Sequence, residues 1–597
     1  MQQIEKNTIH DIFAGYFEDP LLKKIAFWVS KKLEEGNICL DLKAPELVDN
    51  EKINVEYLQN NPYISTDARK NLQPFILANN KIYLQRYFYY ETIIIEKIYT
   101  LILNSNIDRN KNLLIENAGF VKNLLDNNDL DNNQISWQMV AIISAVINNF
   151  TIITGGPGTG KTTTIAKFLS IVFKMFPDIS IALAAPTGKA AARMNQSILN
   201  TIESIQDLDS EIIEKLNRLQ TKTIHRLLGP IPNSPEFKHN SEIPLHHDII
   251  IIDETSMVDA ALLAKLMDAV KDDAKLIFLG DKNQLASVEA GSIFGDICSL
   301  HEGDNFINKE TADVIFELFK EKTSPSIKLI KGLTGNKNNL LEGHIIELKH
   351  SYRFDENQGI GKLSKLVIGG VTAKEQILDP FRHHNNQEEY AIITTNYIDG
   401  RFTEMLKHYE EYAKEDDIKT AFEKLNNIIT LCAVREGEYG FKEYNTIIEN
   451  HLKKKGLINP DDIFYDRQPV MITVNNYNLG VFNGDIGIIR VDEKGEKRIY
   501  FIDDESSIKH FPVFEINRFE TAYAMTIHKS QGSEYENVII ILPEDKTNQV
   551  LSRELLYTAI TRARKKVIIY SKDDVLLETV KRKINRISGI KERLLTR

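Results

Sequence analysis

The sequence predicts an α/β protein with two parallel sheets, each flanked by helices, preceded by a mainly helical region. Three observations predict this class: strand-like apolar runs alternate with helical patterning in two sets, a glycine-rich loop joins one such run to a helix, and a turn-rich β-like stretch interrupts the second set. The strand-like runs lie at 150–155, 179–186 and 248–253, and at 427–434, 537–543 and 566–571. The interrupting stretch, 469–503, is rich in Gly, Asn and Asp and predicts a small β-barrel insertion.

The region before the first strand carries no recognisable chemistry. Residues 1–124 alternate helical patterning with short apolar stretches, as a helical scaffold does. The segment 125–134 is rich in Asn and Asp, residues that favour turns and bury little, so it predicts a linker. We therefore divide the chain into an N-terminal domain, this linker, a first α/β domain at 135–345 and a second at 346–597, with the insertion near 460–515.

Length and composition exclude several classes of protein. The 597 residues are enough for about four average domains. With 42% hydrophobic and 26% charged residues, the chain matches the globular average and differs from disordered, collagen-like and coiled-coil sequences. A net charge of -11 argues against a surface that is basic all over, as in a histone, but it is compatible with a basic channel.

Cysteine usage and hydropathy predict the compartment. The three cysteines, Cys39, Cys298 and Cys432, lie far apart and lack metal-ligand spacing, so we expect neither a disulfide framework nor a structural zinc site. No leader-like start and no apolar run near the ~20 residues that span a bilayer occur, so we expect a cytoplasmic protein without membrane contact. Segment 561–597 holds twelve Lys or Arg against four Asp or Glu, and its simplest interpretation is a solvated basic helix.

The glycine-rich loop fits the phosphate-binding pattern GxxxxGK[ST] and lies between a strand-like run and a helix. Its glycines let backbone N–H groups turn toward phosphates, Lys161 can reach the β and γ phosphates, and Thr162 can hold Mg²⁺. The alternative is a structural glycine-rich turn. The predicted nucleotide-binding residues of the loop are Gly155, Gly156, Pro157, Gly158, Thr159, Gly160, Lys161, Thr162 and Thr163.

Two adjacent carboxylates follow a run of four isoleucines. Asp253 and Glu254 therefore lie at the carboxyl end of a buried strand, where doubly wound sheets present ligands. Asp253 suits Mg²⁺ and Glu254 suits the attacking water of a hydrolysis reaction. A solvated strand end is the alternative, and the two motifs together define only an ATP- or GTP-hydrolysing protein.

Further segments, in the expected order, make the chain resemble superfamily 1 helicases over residues 134–571. The segments that resemble motifs Ia, Ib, III, IV, V and VI are 185–191, 223–229, 280–285, 350–354, 524–532 and 557–563. The resemblance implies two RecA-like domains with ATP between them, an SH3-like barrel insertion in the second domain and single-stranded DNA as a ligand.

The resemblance also implies roles for residues outside the loop. Arg562 becomes the arginine finger and Arg353 a second cation, Gln284 contacts the γ phosphate, and Gln138 reads the adenine. A surface salt bridge for Arg353, a buried loop contact for Gln284 and a helix-surface position for Gln138 are the alternatives. The expected DNA-binding residues, which would form one groove, are Pro186, Thr187, Lys189, His225, Thr526, His528 and Lys529.

Within this superfamily, the chain most resembles the alpha-subunit family of bacterial exodeoxyribonuclease V. The matching segments are 155–164, 185–194, 431–440, 467–487 and 522–538, with shorter matches at 36–40 and 81–91. The resemblance implies an ATP-driven, 5′ to 3′ motor on single-stranded DNA that works with beta and gamma subunits on double-strand breaks. It implies docking of the N-terminal domain on the gamma subunit, a nuclease centre on the beta subunit and association with the nucleoid.

Two other functions remain open at this stage. A free-standing 5′ to 3′ helicase would use the same ATP chemistry. A scaffold subunit that has lost its ATPase activity would only hold partner subunits at a DNA end. The motif residues listed above argue against the scaffold. The polar, Pro-rich stretch at 230–247 is compatible with a small duplex-splitting hairpin and equally with a surface loop.

Overall fold

The computed structural model of the chain describes its residues with short gaps. The described residues are 8–45, 47, 54–67, 69, 72–125, 135–205, 208–287, 289–301, 305–320, 330, 333–334, 340–382, 390–395, 397–460, 462–476, 479–492, 494–502, 507–516 and 518–596. The predicted linker therefore lies, apart from its first residue, outside them.

The first α/β unit is built on a six-stranded sheet in which every pair of neighbours is parallel, in the order β10-β5-β9-β8-β6-β7. Its strands are β5 (Phe150–Thr154), β6 (Ile181–Ala185), β7 (Thr221–Thr223), β8 (Ile249–Ile252), β9 (Lys275–Gly280) and β10 (Ile345–Glu347). The predicted strands at 150–155, 179–186 and 248–253 are confirmed. Because β10 pairs with β5, the sheet extends two residues beyond the predicted boundary at 345.

Helices cover both faces of this sheet, so its strands are buried on both sides. All four residues of β8 are isoleucine and all are buried, as parallel strands covered on both faces require. The helices of this unit are Trp137–Ile147, Lys161–Met175, Gly188–Ser204, Ser210–Asn217, Ile224–Leu228, Ala260–Ala269, Ile293–Cys298 and Lys309–Leu318, with 3-10 turns at Thr255–Met257 and Ser299–His301.

The second α/β unit has a five-stranded, all-parallel sheet in the order β11-β20-β19-β12-β18. Its strands are β11 (Tyr390–Thr394), β12 (Ile428–Cys432), β18 (Ala524–Thr526), β19 (Tyr535–Ile541) and β20 (Ala563–Tyr570). Its helices are Gly359–Ile368, Lys374–Ile377, Gly400–Ala413, Ile418–Leu425, Phe441–Lys454, Arg553–Ile560 and Asp573–Lys581, with 3-10 turns at Asp379–Phe381 and Ile527–Ser530. The three strands that the sequence predicted here are confirmed.

An antiparallel five-stranded sheet is inserted between β12 and β18, where the sequence predicts a β-rich insertion. Its order is β16-β15-β14-β13-β17, and a small apolar core that includes Val470, Ile489 and Ile499 lies inside it. The strands are β13 (Pro469–Ile472), β14 (Ile486–Val491), β15 (Lys497–Ile502), β16 (Ile508–Pro512) and β17 (Phe519–Thr521), with a 3-10 turn at Val513–Glu515.

The N-terminal region combines helices with a four-stranded sheet, β1-β4-β3-β2, that the sequence analysis missed. Its strands are β1 (Cys39–Asp41), β2 (Ile64–Ser65), β3 (Phe75–Ala78) and β4 (Lys81–Leu84). Its helices are Ile9–Ala14, Pro20–Glu34, Val55–Gln59, Gln85–Leu103, Ile107–Glu116 and Ala118–Leu125. Helix Gln85–Leu103 packs on helix Ala260–Ala269, and the two share one apolar core with the first parallel sheet.

The segment at 230–247 forms a loop closed by one isolated antiparallel bridge between Pro230 and Phe237. The amides of Lys238 and His239 donate to the carbonyls of Gly229 and Leu228, at 2.8 and 3.0 Å. Both backbone bonds return the chain to the end of helix Ile224–Leu228. Segment 230–247 is therefore hydrogen-bonded to the end of the helix that follows β7.

The C-terminal segment differs from its expected form, a solvated basic helix. Residues beyond Lys581 leave the second α/β unit in an extended conformation, and helix Ile590–Leu595 packs against helix Gln85–Leu103. The Glu91 carboxylate, fully buried, accepts from the Gly589 amide at 2.8 Å and from the Arg593 guanidinium at 3.0 Å. Basic residues of the segment therefore pair with buried partners that the local sequence does not reveal.

Within the described part of the chain, no helix has both the length and the apolar character that crossing a bilayer requires.

The Glu91–Arg593 pair gives the first prediction. We expect Arg593→Ala to lower the free energy of unfolding by about 3 to 5 kcal/mol, because it leaves a buried carboxylate without its cation. Urea unfolding of the full chain measures the change. Thr596→Ala, an exposed position three residues on, is the control and should change stability by less than about 0.5 kcal/mol. Adding Glu91→Gln to Arg593→Ala should recover part of the lost stability. Equal free energies of unfolding for Arg593→Ala and Thr596→Ala would contradict the prediction.

Candidate functional site

The glycine-rich loop connects β5 to helix Lys161–Met175. Gly158 and Gly160 have φ angles of 77° and 81°, a left-handed conformation that favours glycine, and Gly160 is the N-cap of the helix. The Lys161 ammonium donates to the carbonyls of Gly155 and Gly156 at 2.6 and 3.3 Å. The loop therefore curls around its own lysine at a helix N-terminus, a geometry suited to binding phosphate.

A pocket of about 500 Å³ opens above this loop and is lined by both α/β units. The sequence-predicted residues that line it are Gln138, Pro157, Gly158, Thr159, Gly160, Lys161, Thr162, Thr163, Asp253, Glu254, Gln284, Arg353 and Arg562. Gly155 and Gly156 complete the loop behind Lys161 without lining the pocket. A second cavity, about 820 Å³ in volume, shares Tyr352 and Arg353 with the first and extends past Trp137.

The two carboxylates directly follow β8. Burial and the adjacent Glu254 charge raise the pKa of Asp253, while the Lys161 ammonium opposes that shift. Glu254 has a φ of 50°, rare for a residue with a side chain, and its amide donates to the Asp253 carboxylate at 2.8 Å. Such strain at an acidic pair is typical of functional sites.

Two glutamine side chains line the pocket. Gln138, at the start of helix Trp137–Ile147, donates its amide to the Thr159 carbonyl at 3.0 Å. Gln284 follows β9 and donates to the Asp281 carboxylate at 3.3 Å. Both amides therefore hold pocket loops in the present geometry.

The two predicted arginines reach the pocket from different elements. Arg353 follows β10 on a segment bonded to the phosphate-binding loop, because the Tyr352 amide donates to the Gly158 carbonyl at 2.8 Å. Arg562 follows helix Arg553–Ile560 of the second unit and is 2% exposed. Its guanidinium donates to the carbonyls of Thr558 and Ser533 at 3.1 and 3.0 Å.

Several pocket residues received no role in the sequence analysis. Arg193 lies on helix Gly188–Ser204, and Glu534 lies between the Ile527–Ser530 turn and β19; the two form an ion pair across the cleft. The buried Asp281 accepts from the Tyr557 hydroxyl at 3.0 Å, which also joins the two units. Asp281 and Tyr557 belong to segments that resemble helicase motifs, so the sequence could have drawn attention to them. Arg193 and Glu534 are 341 positions apart, and no local sequence pattern indicates that they form a pair.

The expected DNA-binding residues lie at the carboxyl ends of strands. Pro186, Thr187 and Lys189 follow β6, and His225 follows β7, which is the parallel neighbour of β6. Thr526 ends β18, and His528 and Lys529 occupy the 3-10 turn after it. Burial lowers the pKa of both His225 and His528, so each imidazole is uncharged at neutral pH.

The inserted antiparallel sheet contacts this same edge. The Arg226 guanidinium lies 4.1 Å from the centre of the Phe482 ring, within cation–π range. A methyl group added at Gly188 would lie 3.6 Å from that ring. The Lys189 ammonium lies 5.6 Å from the ring of Tyr535, on the second unit. The first unit therefore contacts both the insertion and the second unit next to the carboxyl ends of β6 and β7.

Comparisons with known proteins identify the family of this chain. A family model described as an AAA domain matches residues 138–290, and one described as a UvrD-like helicase C-terminal domain matches residues 521–570. The RecBCD enzyme subunit RecD of Buchnera aphidicola (subsp. Acyrthosiphon pisum) is 34% identical over 86% of this chain and 83% of its own length. The chain belongs to the RecD family. The two parallel sheets of this RecD-family chain thus form the RecA-like helicase fold that the sequence predicted.

Two further proteins are similar to this RecD-family chain at lower identity. The ATP-dependent RecD2 DNA helicase of Deinococcus radiodurans is 26% identical over 69% of this chain and 46% of its own length. The crystal structure of Bacteroides Pif1 bound to ssDNA is 19% identical, covers 74% of this chain and 93% of that one, and has a TM-score of 0.38.

The tight fit of Gly158 gives the second prediction. A β-carbon at this position would collide with the Arg353 β-carbon and lie 3.0 Å from the Ser351 hydroxyl. We expect Gly158→Ala to weaken ADP binding about 10- to 100-fold, because displacement of the loop misplaces its phosphate donors. Isothermal titration of the purified chain measures the affinity.

Gly456→Ala is the matched control for the backbone conformation. Gly456 also has a positive φ, 67°, but a β-carbon there would meet nothing within 4 Å. This variant carries the same strain, about 1 to 2 kcal/mol, and should bind ADP as the parent chain does. Equal ADP affinity for both variants would show that the contact between the loop and the Arg353 segment is not needed for binding.

Proposed function

We propose that this chain is an ATP-driven 5′ to 3′ single-stranded-DNA translocase and helicase. In this proposal it is the motor subunit of a helicase–nuclease complex that processes double-strand breaks for recombinational repair. One observation carries the proposal: Lys161, the Asp253–Glu254 pair and Arg562 line a single pocket although they come from two different α/β units. A nucleotide bound there would touch both units, so its hydrolysis could change their relative positions.

Each side chain of the pocket has a chemical task in ATP hydrolysis. Lys161 binds the β and γ phosphates, Glu254 orients and deprotonates the attacking water, and Gln138 binds the adenine edge. Arg562 and Arg353 stabilise the charge that develops on the transferred phosphoryl group, and Gln284 detects the γ phosphate. Thr162 and Asp253 suit Mg²⁺, which neutralises phosphate charge when bound, because a hydroxyl and a buried carboxylate face the same pocket as Lys161.

The groove at the strand ends is the proposed track for single-stranded DNA. Lys189 and Lys529 supply charge for phosphates, and Thr187, His225, Thr526 and His528 supply neutral hydrogen-bonding groups, with Pro186 beside them. The loop after β9, which carries Gln284, connects the two α/β units. Its Leu285 amide donates to the Thr558 hydroxyl at 2.9 Å, and the Leu285 carbonyl accepts from the Gln531 side-chain amide at 2.8 Å. In the proposal this loop couples the nucleotide pocket to the DNA track.

The architecture around the motor supports the subunit role. We assign residues 1–124 to docking on the gamma subunit RecC, with the beta subunit RecB completing a heterotrimer and carrying the nuclease centre. We assign the inserted sheet near 460–515 to an SH3-like barrel beside the DNA, and 230–247 to a small duplex-facing loop. The chain is then expected on end-containing duplex DNA and its single strands, in the cytoplasm at the nucleoid.

The RecD2 match favours a second candidate, a free-standing 5′ to 3′ helicase. The two candidates differ in what accompanies the chain in its own cells. We expect tagged chain, purified at moderate salt, to bring down two larger subunits in equal amounts, measured by native mass spectrometry. A single species of the chain alone that still unwinds DNA would establish the free-standing enzyme.

The catalytic proposal is tested by Lys161→Ala. We expect DNA-stimulated ATP hydrolysis and unwinding of a 5′-tailed duplex to fall by at least about 10²-fold, because the phosphates lose their lysine. Lys174→Ala is the control, since Lys174 lies on the same helix in an exposed pair with Asp209 and should leave activity unchanged. Full activity in Lys161→Ala would exclude the motor, and faster unwinding of a 3′-tailed duplex by the parent chain would exclude the proposed polarity.

A further inference from the structure

Glu534 is an acidic residue of the nucleotide pocket that pairs with two of the arginines lining it. Three guanidinium groups contact its carboxylate, from Arg193, Arg353 and Arg564. The Glu534 side chain is 5% exposed, whereas Arg193 and Arg353 are partly exposed and Arg564 is half exposed, so the pairs lie at the edge of the cleft with the carboxylate on the buried side. The three guanidinium groups carry three positive charges, and the carboxylate carries one negative charge. Two of these arginines, Arg193 and Arg353, line the pocket in which we propose that a nucleotide binds.

The two carboxylate oxygens have different partners. Arg564 donates to Oε2 twice, from Nε at 3.1 Å and from Nη2 at 3.0 Å, so both of its bonds end on one oxygen. Arg193 and Arg353 both donate to Oε1, and the Arg353 bond measures 2.7 Å. Arg193 and Arg353 line the nucleotide pocket, whereas Arg564 does not. One oxygen is therefore fixed by Arg564, and the other is shared by the two arginines that a nucleotide could reach.

The pairs also join separate parts of the fold. Arg193 is carried by helix Gly188–Ser204 of the first α/β unit, and Arg353 by the segment after β10. Glu534 and Arg564 belong to the second unit, before β19 and on β20. Burial lowers the pKa of Arg193 and of Arg353, and both stay charged at neutral pH. The carboxylate thus holds a cation from across the cleft.

We propose that Glu534 is a positioning residue that occupies Arg193 and Arg353 until the γ phosphate of ATP takes its place, and that Arg193 is a further γ-phosphate contact. This inference deepens the proposed ATPase site and rests on it. The γ phosphate offers these two arginines a more highly charged acceptor than one carboxylate oxygen. Arg564 keeps Glu534 paired after the exchange, so no buried carboxylate is left without a cation. ADP has no γ phosphate and leaves the Glu534 pairs intact.

The proposed exchange of Glu534 for the γ phosphate predicts that substitutions at Glu534 and Arg193 change the affinity for ATPγS but not the affinity for ADP. In the parent chain, ATP binding must break two charge-assisted hydrogen bonds to Oε1, but ADP binding breaks none. We expect Glu534→Gln to tighten binding of ATPγS about tenfold, because an amide oxygen competes less for the arginines, while the ADP affinity stays within about twofold. Arg193→Gln should weaken ATPγS binding about tenfold and also leave ADP binding unchanged.

The experiment is titration of ADP and of ATPγS into the full-length chain and its variants. Glu536→Gln is the matched control: Glu536 also pairs with Arg564, at 3.8 Å, and with Lys565, but it does not line the pocket. It should change neither affinity. Unchanged or weaker ATPγS binding in Glu534→Gln, with ADP binding intact, overturns the inference and leaves the proposed function standing.

The remaining outcomes are also decisive. If Glu534→Gln loses ADP binding as well, through a folding defect, Arg193→Gln decides: a parent-like ratio of the two affinities overturns the inference, and a selective loss for ATPγS supports it. If the parent chain binds neither nucleotide, the proposed ATPase function fails and the inference fails with it.

Discussion

Parallel strands place their carboxyl ends at one edge of a sheet and their amino ends at the other, and in this chain one cleft lies between the carboxyl ends of the first sheet and the amino ends of β19 and β20 in the second. The phosphate-binding loop follows β5, the acidic pair follows β8, and the Gln284 loop follows β9, all in the first sheet. Arg562 immediately precedes β20 of the second sheet. The geometry of the strands therefore decides where chemistry is possible, and residues far apart in the sequence meet without long loops of their own.

The cleft concentrates buried charge, and its stability depends on keeping each charge paired. Asp281 is fully desolvated, which raises its pKa, and it accepts hydrogen bonds from Tyr557 and from Gln284. Glu534 has three arginine partners. Pairs that cross the cleft form only when the two α/β units hold the relative position seen in this structure. The charge pairing of the site and the arrangement of the units therefore depend on each other.

The sequence predicted the elements whose signal is local. The run of four isoleucines before Asp253 can hardly be anything but a buried strand, and the glycine-rich loop has a fixed spacing. It did not predict β2 or β7, because two or three residues cannot display periodicity, and Thr221–Thr223 is polar. Likewise it could not pair Arg193 with Glu534, since that contact depends on how the two sheets are placed.

The C-terminal segment shows the same dependence on distant residues. Its basic composition suggests exposure to solvent, yet its Arg593 donates to the Glu91 carboxylate and the Phe88 carbonyl, and its Ser588 carbonyl accepts from the Lys81 ammonium. A pattern read within a window of ten or twenty residues cannot reveal partners of this kind. Burial of the carboxylate, visible only in three dimensions, explains why the segment is ordered.

Glu91 and Arg593 are separated by 502 positions, which has a consequence for how the protein is made. During synthesis, the N-terminal helices emerge from the ribosome long before the arginine that neutralises their buried acid. The N-terminal region thus reaches its final packing only after helix Ile590–Leu595 has left the ribosome. A chain that ends before Arg593 lacks the cation that pairs with the buried Glu91, so its N-terminal region is less stable than that of a chain that includes the last helix.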